Sequence, residues 1–160
     1  MELESGLAMK PMDRSLGNFL LLRSLRNADR ECFIDYGHIG FRKHWKWWRR
    51  YWSGSNQLFF EIWLGRKKVG FISRSRIETL QYEIGNLMLK KKFRGRGIMS
   101  WAVGILSAYD EDTYYARTLE ENISSRNVFI RAGFVRKGIS WAPNGAFIIT
   151  WMKGRKLGED

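Results

Sequence analysis

At 160 residues the chain is long enough to bury a sizeable core, and an apolar content of 44% with eight tryptophans argues against disorder. Twenty-eight Lys and Arg against sixteen Asp and Glu leave a net charge of +12, which attracts phosphorylated ligands, nucleic acid or acidic lipid without choosing among them. One cysteine, Cys32, excludes an internal disulfide; with only two histidines, His38 and His44, it makes a poor metal-ligand set, so no metal is expected and a reducing cytoplasm fits the composition.

Residues 1–17 are expected to be a tail or a first short helix, without the apolar core of a signal peptide. The run FLLL that follows is cut by Arg23, far short of the roughly 20 apolar residues of a membrane helix. NFLLLRSL, residues 18–25, reads as a strand and RNADRECF, residues 26–33, as helical. FRKHWKWWRRYW, residues 41–52, sets Phe41, His44, Trp45, Trp48, Tyr51 and Trp52 on one helical face, with Arg42, Lys43, Lys46, Arg49 and Arg50 opposite. Two strands about the Gly65-Arg66 turn follow in residues 57–77, and LQYEIGNLML, residues 80–89, makes a third. A helix begins near Gly97 with Ile98, Trp101, Ala102, Ile105 and Tyr109 on one face. Strand TYYARTL, short helix SSRNVFIRA and a hairpin turning at Asn144-Gly145 complete the chain. The order predicts an α/β (α+β) domain over residues 18–153, a single mixed, mostly antiparallel sheet flanked by helices, with a polar tail at 154–160.

The stretch KKFRGRGIMSWAVGIL, residues 91–106, joins a strand to a helix through Arg94, Gly95, Arg96 and Gly97. N–H groups at a helix start lack intrahelical partners and the helix dipole adds partial positive charge, so this junction suits an anion. Glycines let the backbone approach a pyrophosphate that a Cβ would hold off. Plain turn geometry is the competing explanation. Neither a Walker loop nor a GxGxxG loop is present.

A second segment, NISSRNVFIRAGF, residues 122–134, opens on helix-capping residues and closes on Gly133. Together the two segments resemble the GNAT superfamily of acyl-CoA-dependent N-acetyltransferases. Its (Arg or Gln)-x-x-Gly-x-(Gly or Ala) signature appears as Arg94, Gly97 and Met99. Its Asn-x-x-Ser signature with a following aromatic and Gly-Phe appears as Asn122, Ser125, Phe129, Gly133 and Phe134. The resemblance implies a GNAT-like fold and acetyl-CoA as co-substrate. It implies that the backbone from Arg94 through Gly95, Arg96, Gly97 and Ile98 to Met99 receives the pyrophosphate, that Leu87, Met88 and Leu89 pair with the pantetheine arm, and that Asn122 and Ser125 touch the cofactor from the other side. Met99 departs from the small residue of the pattern, and Phe129 stands where many members carry a tyrosine that protonates the thiolate.

An amine attacking a thioester needs a neutral nucleophile held in line and a route for its proton. The resemblance points to Glu83 as base, with an ion pair to a nearby cation as the alternative; Tyr114, Tyr115 or water could substitute for the missing tyrosine as proton donor. His44 is the second catalytic candidate, packing its alternative. Arg26, Asn27, Arg30, His44 and Trp47 are similar to an RN…R…H..W arrangement in GNAT enzymes acting on nucleotide-linked amino sugars and in relatives acting on ribosomal-protein N-termini. An aromatic face beside guanidinium groups could stack a base and neutralise a diphosphate, or simply form core under a solvated basic face. The expected partners are acetyl-CoA and a small amine acceptor, with no nucleic acid required, no membrane, and a homodimer left open. RNA binding and adsorption of the basic helix to acidic membranes are the readings from other classes.

Overall fold

The computed structural model describes residues 6–35, 37–108 and 112–154. Ser15 starts the first helix, its Oγ accepting the Asn18 N–H at 3.3 Å, and α1 runs Leu16–Ala28. Phe19, Leu22 and Leu25 recur at helical spacing and are buried, while Leu20 faces solvent. The strand expected over residues 18–25 is therefore a helix; the dense apolar run masks the spacing of three that burial reveals. Because α1 takes in residues 26–28, the helix expected over 26–33 reduces to its last turn and one 3-10 turn, Arg30–Cys32.

Upstream, the expected tail or short helix instead contains strand β1, Leu7–Pro11, antiparallel to β2, Gln57–Leu64. Pro11 is tolerated because β1 is a sheet edge. Residues 1–5 and 155–160 of the two expected tails lie outside the described residues. The remaining elements follow the expected order: α2 Phe41–Trp52, β3 Lys67–Glu78, β4 Gln81–Leu89, α3 Ile98–Leu106, β5 Thr113–Leu119, α4 Ile123–Arg131, β6 Val135–Trp141 and β7 Phe147–Lys153.

The described strands form one seven-stranded sheet in the order β1-β2-β3-β4-β5-β7-β6. β4 and β5 are parallel and every other neighbouring pair is antiparallel, as the mixed, mostly antiparallel expectation required. Strand residues alternate between two cores. Ile62, Val69, Ile72 and Ile84 pack with Ile98, Ala102, Val103 and Phe129 of α3 and α4, whereas Phe59, Phe71 and Met88 pack with Phe19, Leu22 and Trp48 of α1 and α2. Each helix pair thus occupies its own side of the sheet.

The helical faces differ in detail from those predicted. α3 buries Ile98, Met99, Ala102, Val103 and Leu106 and leaves Ile105 in solvent; Tyr109 lies outside the described residues. α2 buries only His44 and Trp48 fully, with Trp47, Tyr51 and Trp52 half-buried, so Phe41 and Trp45 of the expected aromatic face remain exposed.

Gly70 marks the tightest approach between strands. A Cβ there would stand 2.1 Å from the Met88 carbonyl oxygen, so β3 can press against the end of β4 only with glycine. Gly70→Ala is expected to destabilise the fold by about 3 kcal/mol through overpacking, read as a lowered urea midpoint. An unchanged midpoint would show that the two strands can part.

Candidate active site

β4 and β5 pair only at Gln81↔Thr113, Tyr82↔Tyr114 and Glu83↔Tyr115. Beyond Glu83, β4 continues with β3 and β5 continues with β7, and the two parallel strands share no further pairing. A register shift opposite Phe71 and Ser73 bends β4 at this point. Asn86 takes a positive φ of 49°, which asparagine tolerates better than most residues, and its Nδ2 donates to Ser73 Oγ at 2.9 Å. Ser73 is fully buried and also receives Gln57 Nε2 at 3.3 Å. The resulting fork is the floor of a cleft of ≈ 1130 Å³. Residues 85–89, no longer paired to β5, border it instead, with the Leu89 carbonyl taken by Arg94.

One wall is the junction between β4 and α3. Phe93 anchors it in the core, Gly95 and Gly97 have φ of 75° and 77°, and the first backbone bond of α3 runs from Trp101 N–H to the Gly97 carbonyl at 3.0 Å. The N–H groups of Ile98, Met99 and Ser100 therefore precede the helix's own acceptors. Met99 belongs to the core and also borders the cleft. Arg94 is occupied structurally: its Nε and Nη2 donate to the Leu89 carbonyl at 3.1 and 2.9 Å, and it forms an ion pair with Asp29.

The opposite wall is α4. Asn122 caps it, Oδ1 accepting the Ser125 N–H at 3.1 Å, while its Nδ2 donates to the Cys32 carbonyl at 3.0 Å. The helix ends with Phe134 N–H on the Phe129 carbonyl, Gly133 N–H on the Ile130 carbonyl and a positive φ at Gly133, a Schellman arrangement. Phe129 and Phe134 supply its apolar contact, with ring centroids 5.2 Å apart. Phe129 is thus fixed by packing and brings no proton to the cleft. The Arg94–Asp29 and Asn122–Cys32 links carry residues 29–32 between the two walls.

α1 and α2 supply the remaining side. His44 is buried, stacks on Trp47 and places Nε2 at 2.8 Å from the Phe19 carbonyl, which can only accept, so the ring N–H lies on Nε2. Burial lowers its pKa below the ordinary imidazole value, with nearby Arg23 adding to the fall and the Phe19 carbonyl opposing it. Arg26 lays its guanidinium over the Phe33 ring at 3.9 Å and donates through Nη2 to the Asp35 carbonyl; its Nη1 is buried with no acceptor among the described residues. Glu83 receives Arg117 Nε at 2.8 Å and Nη2 at 3.3 Å.

Residues 20–135 match the family model described as "Acetyltransferase (GNAT) domain". The chain belongs to the GNAT acetyltransferase family. No curated protein shows significant similarity to its sequence. Among solved structures, a spermidine N-acetyltransferase from Vibrio cholerae with CoA and spermine is similar at TM-score 0.79 and 14% identity, over 94% of this chain and 96% of that one. RimL, a ribosomal-protein α-N-acetyltransferase with coenzyme A, is similar at TM-score 0.75 and 15% identity, over 98% of both chains. The aminoglycoside acetyltransferase AAC(6')-Ib with coenzyme A and kanamycin is similar at TM-score 0.76 and 13% identity, over 94% and 96%.

In this GNAT chain the two signature segments, residues 87–89, Glu83, Arg26, His44 and Trp47 all border the same cleft. Five predicted positions do not. Asn27 spends its amide on Ile39, receiving its N–H at 2.8 Å and donating to its carbonyl at 3.0 Å. Arg30 is exposed on the 3-10 turn, Arg96 lies beside Phe93 on a separate hollow, and Tyr115 sits beside Glu83 in register without reaching the cleft wall. Tyr114 is buried and donates its hydroxyl to Asp112. Sequence reasoning missed Arg117, Asp29 and the Gln57–Ser73–Asn86 chain, since each depends on pairing between distant segments.

His44 gives a pH prediction. A histidine whose folded pKa is depressed stabilises the fold fully above its unfolded value near 6.5 and loses that contribution as pH falls through the folded value. Urea unfolding of the native chain should weaken from pH 7.5 to pH 5 more than that of His44→Gln; equal losses would remove His44 as the cause.

Proposed function

We propose that this chain is an acetyl-CoA-dependent N-acetyltransferase whose acceptor is a primary amine on an anionic scaffold, with a nucleotide-linked amino sugar the best-fitting class. Acetyl-CoA supplies the acetyl group as an activated thioester. The loop fits its pyrophosphate: two glycines at positive φ bring the free N–H groups at the start of α3 to the cleft, and no side chain fills the space. The β4 backbone at Leu87 and Met88, released by the fork, offers a strand edge to the extended pantetheine arm, and Leu89, its carbonyl held by Arg94, ends that edge. Ser125 borders the same slot from α4.

Glu83, on the cleft floor and oriented by Arg117, accepts the proton of the attacking amine. With Phe129 apolar and the hydroxyls of Tyr114 and Tyr115 off the cleft, water at the open mouth protonates the departing thiolate. A thiolate is a good leaving group, so this arrangement slows turnover without forbidding it.

The observation that carries the acceptor reading is electrostatic. The three carboxylates at the cleft, Asp29, Asp35 and Glu83, each face a cation, namely Arg94, Lys43 and Arg117. Lys46, Arg50 and Arg131 add positive charge with no ion pair to a carboxylate among the described residues, and Arg26, which feels the Asp35 carboxylate, adds to it. Such a cleft focuses its field on anions and opposes polycations of the spermine or kanamycin kind. The buried, unpaired Arg26 Nη1 gives an anionic group a donor already stripped of water. An acidic protein N-terminus shares this complementarity and is the second reading.

Three experiments test these assignments. Gly97→Glu, which adds a negative charge and a strained positive φ at the loop, should abolish calorimetric binding of acetyl-CoA while the circular dichroism stays native; retained affinity would sink the cofactor site. Glu83→Gln should lower kcat at neutral pH and flatten the acid limb of the pH–rate profile with acetyl-CoA affinity kept; an unaltered profile excludes Glu83 as base. In an acceptor panel, a UDP-linked amino sugar or an acidic N-terminal peptide should outperform spermidine, and Arg26→Ala should raise KM for the anionic acceptor about tenfold or more. A higher kcat/KM for spermidine would overturn the acceptor class while leaving the cofactor assignment intact.

A further inference from the structure

α2 has two flanks. One carries Lys43, His44, Lys46, Trp47 and Arg50 on the cleft, and the other, with Phe41, Arg42, Trp45 and Arg49, takes no part in it. Phe41 is 56% exposed and Trp45 47%. Both meet Phe19 of α1 edge-on, at centroid distances of 5.2 and 5.7 Å. On α1, Leu16, one turn before Phe19, is 68% exposed and Leu20, beside it, 49%. Phe41 and Trp45 thus pack on Phe19 with one edge and, with Leu16 and Leu20 on α1, leave large apolar surface open to solvent.

We propose that this flank of α1 and α2 is a peripheral docking surface for an anionic lipid bilayer. Neither helix contains an acidic residue, and exposed Arg14, Arg42 and Arg49 lie beside the apolar group. A bilayer interface takes this combination: aromatic and aliphatic side chains enter the headgroup boundary while guanidinium groups stay with the phosphates. Among the described residues no helix is long and apolar enough to cross a membrane, so the contact is superficial.

The alternatives match the surface less well. Nucleic acid would use Trp45 and Phe41 for stacking but has no use for Leu16 and Leu20. A second copy must bring another chain of +12 against the same cationic rim. A protein partner anchors its hot-spot side chains in a pocket, and the cleft, where such anchors would find one, borders the other flank of α2. Phe41 and Trp45 are the part of the expected aromatic face of α2 that the sheet leaves uncovered.

Co-sedimentation of the full chain with vesicles decides the matter, using phosphatidylcholine alone and phosphatidylcholine containing about one-third phosphatidylserine. Binding should require the anionic lipid and fall about tenfold or more in Leu20→Ser/Trp45→Ser, with unchanged circular dichroism and unchanged acetyl-CoA affinity. No binding to the anionic vesicles overturns the proposal. So does binding that the double variant keeps, which would be adsorption by net charge alone. Loss of a dimer in light scattering, or of RNA affinity, in a variant whose vesicle binding is intact would assign the patch to those partners instead. Since neither Leu20 nor Trp45 borders the cleft, failure here leaves the acetyltransferase assignment untouched.

Discussion

The site depends on one interruption in hydrogen bonding. Parallel strands β4 and β5 hold together for three residue pairs and then part, because a bulge in β4 bends it toward β3 while β5 stays with β7. An unpaired strand interior is normally costly. Here the cost is limited because each strand keeps its outer neighbour, and because Asn86, in a left-handed conformation, is tied to buried Ser73. The fork creates a slot with free backbone groups, and the walls of that slot are the helices whose starts the two diverging strands feed.

The signature residues serve the fold before they serve a ligand. Arg94 closes on the Leu89 carbonyl and Asp29, and Asn122 caps α4 while holding Cys32. Both link a wall of the cleft to residues 29–32, the segment that leads from α1 toward Phe33 and Asp35 beneath Arg26. The α3 and α4 walls and the α1–α2 side of the cleft are in this way one connected structure. Phe129 shows the same economy in another form: a position that could carry a hydroxyl is given to the apolar contact of a Schellman helix end.

Legibility in the sequence followed the range of the interactions. Elements specified by local period and local turns were readable: α2 by its aromatic spacing, the β2–β3 hairpin by Gly65, and the loop before α3 by Gly95 and Gly97. α1 was misread because Phe19 to Leu22 is apolar throughout, and only tertiary burial shows which of its residues face inward. β1 was missed because its short polar-flanked run acquires strand identity from pairing with β2. The site divides along the same line. Motif glycines and caps could be seen, whereas Arg117 beside Glu83 and Ser73 beside Asn86 arise from register between strands. Asn27 and His44 stood out through the family resemblance, and the structure gives each a hydrogen bond within the fold, to Ile39 and Phe19.

The positive cleft also bears on how the proposed reaction would manage its proton. A free alkylamine is mostly protonated at neutral pH, and an ammonium cannot attack a thioester. Like charges around a bound ammonium disfavour the charged form and lower its pKa. Arg26, Lys46, Arg50 and Arg131 would act on an acceptor in this way while attracting the anionic remainder of the same molecule. A polyamine would be opposed twice, since its additional charges lack the anion that draws it in. Under that arrangement Glu83 need not be a strong base; oriented by Arg117 and partly open to water, it has only to receive a proton that the field has already loosened.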